Sequence, residues 1–514
     1  MNLLLYIMSK ENLVSIIRNV YDEYKNNPVI FQKLIETVEN LPEFLKNTND
    51  TIIYKENRKN KLVEESEIFI NKFLYTNKFF YHTSSELFFE YRENKFYSIK
   101  EDDVQHTILT NISSNKILMD WKHKLKITIL KKIKERDIFS CIPESETIQD
   151  IINKLCPVVF DNKEKAKYFL TVLGDILLKK CNLLYFINPK AKQWVKELSN
   201  LACMLFGTQN LTNIFKFKYY DHKFSDCRIV DIQETINLDN WVNEFKYSSG
   251  LDLFCVAAYY SNRYESGDNF LMEHCKDDNV KTYSLYLKNS DEKSIINNFC
   301  RKNIETSDDC CISWKDMQYL WKQYVDNEKL PNVFFISTLK TLLSNNFTYN
   351  SKKDVFLDCT SKLLPKVGKF ITFWNEKIIT DDNSSEELEI DELCSLFSYQ
   401  HKTSISEKNI LDLIKHYYPD TFIEGDKYLL NTRCSTWNKK QDIINSLRKY
   451  KLTTPNVDLQ SNEVPINDLY QFYCGIKNRF TTSKRYFENF IKEESELFIV
   501  EDNFIKVKSF ENIK

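Results

Sequence analysis

Glycine scarcity constrains this chain more than any other feature of its sequence. The 514 residues include only seven glycines, and the closest pair, Gly250 and Gly267, is 17 positions apart (267 − 250). A phosphate-binding loop needs glycines because its backbone must curl tightly and direct several N–H groups at the anion. Neither the GxGxxG pattern of dinucleotide sites nor the GxxxxGK pattern of ATPases is compatible with this spacing. The sequence therefore excludes ATP hydrolysis by a P-loop and a glycine-rich dinucleotide site.

One stretch nevertheless has the outline of a nucleotide site. The segment LLYFINPKAKQWVKELSNLACMLFG (183–207) predicts a strand over 183–187, a short loop, and a helix over 193–206. The loop contains no glycine, and Pro189 removes one N–H donor. Lys190 and Lys192 could still meet a phosphate backbone, although lysines in a loop are more often simply solvated.

Composition and charge bound the class of protein. The chain is 42% apolar and 28% charged, with a net charge of −2, so any contact with nucleic acid must come from a local basic patch. Its 14 cysteines include no CxxC pair, which is typical of free thiols in a reducing compartment. The seven histidines form no cluster with metal-ligand spacing, so we expect neither a metal nor another cofactor. No apolar run approaches membrane length, and we expect an intracellular protein without a membrane partner.

Hydrophobic periodicity predicts an α+β fold that is predominantly helical and multidomain. The polar stretch NTNDTIIYKENRKNK (47–61) predicts a linker, and the aromatic-rich segment at 73–99 predicts three short antiparallel strands. The predicted domains are a helical N-terminal segment at 1–60, a small β-meander with helices at 61–145, a mixed α/β domain at 146–305, and winged-helix-like modules at 306–378, 386–452 and 464–514.

The C-terminal assignment depends on one pattern that appears three times: helix, helix, then a two-stranded hairpin. The hairpin turns have the polar sequences NSKKD, EGDK and VEDN between apolar-rich flanks. A helix pair closed by a hairpin is the outline of a winged helix, in which the later helix of the pair reads the major groove. Winged helices also serve as protein–protein modules, so the pattern leaves both kinds of partner open.

Basic residues that could meet phosphate lie both in these modules and outside them. The segment WKHKLKITILKKIKER (121–136) concentrates lysines, and TTSKRYF (481–487) places two basic side chains in the first turn of a helix. The candidate nucleic-acid contacts are Lys122, Lys126, Lys131, Lys340, Lys352, Lys353, Lys439, Lys440, Lys484 and Arg485. Lysine is abundant throughout the chain, so a solvated surface is the alternative interpretation of each.

The layout resembles that of D5-type primase-helicases of large DNA viruses. The segment FLYTNKFFYHTSSELFFEYRENKFYSIKEDDVQHTIL (73–109) is similar to the region that precedes their motor, and 183–207 falls where their superfamily 3 helicase strand and phosphate loop would come. The C-terminal modules are similar to their C-terminal region. The family's GK[ST] loop has no counterpart at 188–194, so no catalytic residue can be transferred. The resemblance implies a non-hydrolysing relative with a degenerate helicase-like middle domain, or an unrelated protein of similar outline.

These observations predict a non-enzymatic protein of viral replication or transcription that binds nucleic acid, DNA in the first instance. We expect nucleic acid and viral replication or transcription proteins as partners, and host cytoplasm or a viral factory as the location. Two alternatives remain open at this point. The winged-helix modules could bind proteins in an assembly or scaffold, or the chain could be an enzyme whose site does not use a P-loop.

Overall fold

The computed structural model has the predominantly helical α+β fold that the periodicity predicts. It describes residues 10–180, 182–207, 211–218, 222–233, 236, 241, 243–245, 249–381, 386–453, 463–476, 480–494, 498, 500–501 and 503–506. The chain divides into two compact units, Met1–Asn289 and Ser290–Lys514. No helix in the described part of the chain combines the length and the hydropathy that crossing a bilayer requires.

The first unit begins with two helices, Lys10–Tyr24 and Pro28–Thr76. The Asn27 side chain caps the second helix by accepting a hydrogen bond from a first-turn N–H group, and Pro28 starts it without the loss of an intrahelical bond. We call residues 10–61 the helical arm, because none of them is buried and Leu62 is the first residue to enter a core. The linker predicted at 47–61 is wrong: this stretch contains neither glycine nor proline, and it continues the helix.

A three-stranded antiparallel meander follows the arm, as predicted. Its strands are Phe79–His82, Leu87–Arg92 and Lys95–Ile99. The predicted helices behind it are present at Glu101–Ser113 and Lys122–Lys134, and they bury a stripe of isoleucines, valine and leucine against the end of the long helix and the meander. This packing leaves the opposite face of Lys122–Lys134 to solvent.

The chain makes its tight turns largely without glycine. In the described residues, twelve residues other than glycine have positive φ, against two glycines. Six of these twelve are Asn or Asp, which tolerate the left-handed region because their short side chains bond locally. Others, such as Glu93 with φ of 50° in the turn of the meander, have no such compensation and cost about 1–2 kcal/mol each. The glycine shortage therefore stores strain in the turns.

A small parallel sheet forms the centre of the rest of the first unit. Its strands are Phe215–Lys216, Leu184–Phe186 and Cys227–Ile229, in that spatial order. The surrounding α-helices are Ser145–Leu155, Lys163–Leu177, Lys192–Phe206, Gly250–Tyr264 and Asp278–Ser284. A short helical segment at Gly267–Asn269 continues as a π-turn at Phe270–His274. Gly174 permits close packing of Lys163–Leu177 on Gly250–Tyr264, because a Cβ there would lie 2.1 Å from the Ala257 carbonyl oxygen.

The second unit repeats one element order three times: helix, strand, helix, helix, strand, strand. We name the repeats module 1 (292–360), module 2 (364–434) and module 3 (439–506). In each module the first strand pairs antiparallel with the third, and the third pairs antiparallel with the second. The sheet order is therefore first, third, second in all three modules. This shared order shows that the three-part pattern of the sequence reflects a structural repeat.

The helices of the modules are as follows, in chain order. Module 1 has Glu292–Asn303, Trp314–Asn327 and Ile336–Ser344; module 2 has Leu364–Lys377, Ile390–His401 and Glu407–Tyr417; module 3 has Lys439–Thr453, Ile466–Gly475 and Lys484–Glu493. The strands are Glu305–Ser313, Tyr349–Asn350 and Val355–Thr360; Glu387–Glu389, Ile423–Glu424 and Tyr428–Leu430; and Glu463–Pro465, Val500–Glu501 and Phe504–Lys506. Module 2 also has a two-stranded ribbon, Ile378–Thr380 with Thr432–Cys434.

The boundaries predicted from the sequence depend on the pattern of helix, helix and hairpin, and the first helix of each module lies before that pattern. Leu364–Lys377 falls inside the predicted module at 306–378, but its Phe370 and Trp374 are buried in the core of module 2. All of Lys439–Thr453 except its last residue likewise falls within 386–452, but Ile443 and Leu447 are buried in the core of module 3. Each of these helices therefore packs with the strand that follows it.

Candidate nucleic-acid interface

Helix Lys122–Lys134 presents the most uniform basic surface in the described part of the first unit. It contains six lysines and no acidic residue. Lys131 is exposed, while Lys122 and Lys126 are half-buried and donate only to neutral partners, the Ser113 hydroxyl at 2.9 Å and the Gln105 amide oxygen at 3.4 Å. Among the described residues, Lys134 is the one of the six lysines with a carboxylate within ion-pair distance, and its ammonium lies 3.7 Å from Glu101. Five like charges therefore share one helix without local neutralisation.

The exposed face of this helix also includes Lys124 and Lys132. Both are exposed, and the Lys124 ammonium lies 4.2 Å from the centroid of the Trp121 ring. Ile127 lies on the same face and is 52% exposed. The helix dipole stabilises cations in the last turn, so it favours the charges of Lys131 and Lys132. It does not favour the charge of Lys122, which is at the first position of the helix.

In module 1, the three predicted contacts separate into two groups. Lys352 and Lys353 lie at the exposed tip of the hairpin, and neither ammonium has an ion-pair partner among the described residues. Their backbone N–H groups donate to the Asn350 side chain, which holds the turn. Lys340 instead forms an ion pair with Asp354 at 2.9 Å. Hydrogen bonds to Tyr349 and then Asp354 raise the pKa of Lys340, so its charge is used within the module.

Lys439 is the one predicted contact that lies in the protein interior. Its side chain is 8% exposed, its ammonium pairs with the Glu392 carboxylate, and it donates to the Glu387 carbonyl oxygen at 2.8 Å. Desolvation lowers the pKa of Lys439 from its ordinary value. The sequence-based prediction that Lys439 contacts nucleic acid is therefore wrong. The Lys439 ammonium also lies 5.1 Å from the centroid of the Trp437 ring and 4.5 Å from that of the Tyr486 ring.

The remaining predicted residues of module 3 are exposed or half-exposed but paired. Lys440 lies 3.5 Å from Glu494, and Lys484 lies 3.7 Å from Glu488. Arg485 contacts two carboxylates of module 2, those of Glu387 and Glu424, and hydrogen bonding to Glu424 raises its pKa. Its guanidinium also stacks 4.4 Å from the centroid of the Tyr428 ring. Carboxylates thus neutralise these three cations.

A contact with module 2 explains why the basic helix start of module 3 is not available to phosphate. The N–H of Ser483, which caps the third helix of module 3, donates to the Glu392 carboxylate of module 2 at 2.6 Å. The Thr482 hydroxyl donates to the same carboxylate at 3.1 Å. A phosphate could reach this helix start only by displacing Glu392, which is 5% exposed.

The third helix of module 2 docks on module 1 through its C-terminal half. Asp412 lies 3.5 Å from Lys322, and the Tyr417 hydroxyl donates to the Asp316 carboxylate at 2.6 Å. His416 is hydrogen-bonded to the Lys315 carbonyl oxygen at 2.8 Å, and burial lowers the pKa of His416. The third helix of each later module therefore packs against the module before it. The third helix of module 1, Ile336–Ser344, is exposed at its start, with Ile336 64% exposed.

The strand, turn and helix predicted at 183–206 are present. The backbone N–H groups of the turn form hydrogen bonds within the turn itself. Asn188 accepts the Lys190 N–H on its side-chain oxygen and the Ala191 N–H on its carbonyl oxygen, both at 2.9 Å. Pro189 has no N–H to offer. A phosphate at this turn would have to replace both intraturn hydrogen bonds.

A cleft of about 420 Å³ in the first unit is the feature that an enzyme without a P-loop would need. It is lined in part by Asp175, Arg228 and Asp268. Asp175 is fully buried, its two oxygens each accept a hydrogen bond at 2.6 Å from Ser261 and Gly267, and burial raises its pKa. Asp268 forms a bidentate ion pair with Arg228 at 2.7 Å. These carboxylates are committed to bonds that hold the helices together.

Comparison with known proteins does not assign the chain to a family. No protein-family model matches it, and no curated protein matches it significantly. The basic residues and their partners are therefore the basis for assigning a function.

The sequence pattern identified the lysines but missed the carboxylates that neutralise several of them. Glu387 and Glu392 belong to the acidic stretch EELEIDE (386–392) in module 2, which carries more negative charge than any other segment of that length in the module. Because Glu392 is at N3 of its helix and bonds the N-cap N–H, its position could be predicted as a capping residue. Its contact with Lys439, 47 residues away, has no local signal.

Proposed function

We propose that this protein is a non-enzymatic nucleic-acid-binding protein of viral replication or transcription, with phosphate contacts from two basic surfaces. The first surface is the exposed face of helix Lys122–Lys134, and the second is the hairpin tip with Lys352 and Lys353. The observation that carries the proposal is the acid-free helix, whose lysines other than Lys134 lack a carboxylate partner in the described chain. Unpaired cations are available to replace the counterions of a phosphate backbone, which is the dominant source of such affinity.

We also propose that modules 1, 2 and 3 are winged helices. The order helix, strand, helix, helix, strand, strand and the sheet order first, third, second support this assignment. In a helix-turn-helix protein the later helix of the pair enters the major groove. Because the third helices of modules 2 and 3 dock on the preceding module, we assign duplex contact to the third helix and the hairpin tip of module 1.

A salt titration tests the proposed function. Binding of the full chain to fluorescently labelled duplex and single-stranded DNA is measured by anisotropy as a function of salt concentration. The logarithm of the binding constant should fall linearly with the logarithm of salt, with a slope of about 0.9 per phosphate neutralised on duplex DNA. The double variant Lys352→Ala with Lys353→Ala should reduce the magnitude of the duplex slope by about 1.8, because two contacts are lost.

The matched control replaces two lysines whose charges are already neutralised. Lys440→Ala with Lys484→Ala removes the same net charge from ion-paired positions and should leave the slope unchanged. The triple variant Lys124→Ala, Lys131→Ala and Lys132→Ala tests the helix in the first unit. Absence of binding at low salt, or equal slopes for the control and the test variants, would refute the proposal.

The second candidate function is an assembly or scaffold protein that uses its modules for protein contacts. Two third helices already make protein–protein contacts of this kind within the chain. The third helix of module 1 begins with Phe335 and Ile336, which are 49% and 64% exposed, as a docking helix would require. Under this candidate, Ile336→Glu abolishes capture of a protein partner, and the lysine variants have no effect on it.

A further inference from the structure

The helical arm exposes more apolar surface than a free-standing element of a monomer should. Fifteen large apolar side chains between Leu13 and Tyr54 are each 37–69% exposed, and none of residues 10–61 is buried. Monomeric soluble proteins rarely expose contiguous apolar patches of more than a few hundred Å². A large exposed apolar surface of this kind marks an interaction site.

The apolar residues of the long helix form a stripe of the kind that pairs with another helix. They recur at alternating spacings of three and four residues, interrupted once by Thr48. The members of the stripe are Phe31, Leu34, Val38, Leu41, Leu45 and Ile52. Sustained over three seven-residue repeats, this spacing keeps a single seam facing a partner helix in knobs-into-holes packing.

Within the described residues 10–61, the arm leaves part of this stripe uncovered. The first helix, Lys10–Tyr24, folds back on the second, with the rings of Tyr21 and Phe31 5.4 Å apart. Its 15 residues span about 22 Å at 1.5 Å per residue, so it reaches only as far as about residue 42 of the long helix. Leu45 and Ile52 lie beyond this reach and are 54% and 50% exposed.

We propose that the helical arm is a self-association element that pairs with the arm of a second copy of this chain. An identical stripe on the second copy is complementary by symmetry, because a two-fold interface uses the same patch on both partners. Such side chains carry roughly 60–120 Å² of apolar surface when fully exposed. Tyr54 lies on the outer face of the helix and is left out. About half of this surface is exposed on the other fourteen side chains, which gives about 420–840 Å² per arm, close to the roughly 800 Å² per partner of a stable interface.

The charges on the arm favour a protein partner over a membrane. Between Phe31 and Ile52 the long helix carries four acidic residues and two lysines. These are Lys33, Glu36, Glu39, Glu43, Lys46 and Asp50. An amphipathic helix that lies on an anionic membrane is instead rich in Lys and Arg on its polar face. Pairing with a second arm through the apolar stripe does not require a basic polar face.

Sedimentation velocity of the full chain at micromolar concentration tests the proposal. The wild type should sediment as a dimer. Leu45→Glu with Ile52→Glu should weaken the dimer at least about 100-fold, about tenfold for each central side chain lost, and yield monomer. Because both side chains are exposed in the single chain, the variant should retain the wild-type helical content by circular dichroism.

The matched control is Asn47→Glu with Tyr54→Glu, which has the same seven-residue spacing on the outer face of the helix. This control should remain dimeric. A monomeric wild type, or a dimer that the Leu45 and Ile52 substitutions leave intact, overturns the proposal. Flotation of the wild type with anionic vesicles, without self-association, would assign the arm to a membrane and overturn it as well. None of these outcomes depends on nucleic-acid binding, so the two proposals are tested separately.

Discussion

Replacing Lys439 with methionine should loosen the junction between modules 2 and 3. Lys439 and Glu392 are both buried, and the Lys439 ammonium is the cationic partner of the Glu392 carboxylate. Methionine is an unbranched side chain of similar length, so it keeps most of the packing volume but removes the charge that lies near the Trp437 and Tyr486 rings. Lys439→Met therefore leaves a buried carboxylate without its counter-charge, and most of the packing is retained.

The magnitude follows from what remains around the carboxylate. Removal of one partner of a buried ion pair typically costs ~3–5 kcal/mol. The Glu392 carboxylate keeps three donors, the Ser483 N–H at 2.6 Å, the Glu389 N–H at 2.8 Å and the Thr482 hydroxyl at 3.1 Å. Because these donors still stabilise its charge, we expect the lower end, about 3 kcal/mol. This corresponds to a factor of about 150 in the equilibrium for local opening.

Hydrogen–deuterium exchange with mass spectrometry measures this local opening in the full chain. Amides in Lys439–Thr453 and Lys484–Glu493 should exchange about 150-fold faster in the variant, while those of module 1 should be unaffected. Lys440→Met, at an exposed pair, should change exchange by about fivefold at most, since such pairs contribute up to ~1 kcal/mol. Adding Glu392→Gln to Lys439→Met should restore most of the protection, because the unpaired charge is then gone. Wild-type exchange in Lys439→Met would refute the electrostatic account.

Two further predictions concern the first unit and one control in the second. Gly174→Ala should destabilise the protein by about 3 kcal/mol, because the new Cβ would meet the Ala257 carbonyl oxygen at 2.1 Å. Gly368 has open space around it, so Gly368→Ala should stabilise its helix by up to ~1 kcal/mol. Calorimetry of both variants measures this contrast. Burial raises the pKa of Asp252 from 3.8 to about 6, so its contribution to stability is complete below about pH 4 and is lost as pH rises through about 6. Asp252→Asn, which keeps an oxygen for the Phe96 N–H, should be more stable than wild type at pH 7 by up to ~3 kcal/mol and equal to it near pH 4, and thermal melts at the two pH values measure the difference. An equal effect at both pH values would rule out titration of Asp252 as the cause.

Local elements were predictable wherever one side of the element is buried. The stripe of Leu125, Ile129 and Ile133 marks Lys122–Lys134 as a helix, and the same burial places its lysines on the opposite face. The repeat of the second unit was predictable in outline because polar turns separate apolar flanks in each hairpin. The first helix of module 2 was harder to assign, because the polar stretch DDNSSEE (381–387) separates it in the sequence from its core partner Leu388.

Tertiary pairing explains the parts that the sequence could not predict. The residues next to Lys439 in the sequence give no indication that it is buried, because its partner Glu392 is 47 residues away and belongs to the preceding module. Arg485 is similarly paired with Glu424, 61 residues away. The prediction of a linker at 47–61 was wrong for a different reason. Polarity predicts exposure, and an exposed helix has the same composition as a linker when it extends beyond the core.

The repeated docking of third helices makes the modules a directional stack. Each junction covers part of the third helix of the later module, so a longer series of such modules would gain length without exposing a further third helix in full. If the modules bind nucleic acid as proposed, one chain offers only the third helix of module 1 for that contact. Greater valency has to come from multiplying whole chains, and cooperativity between binding events would report on chain association instead of on module number.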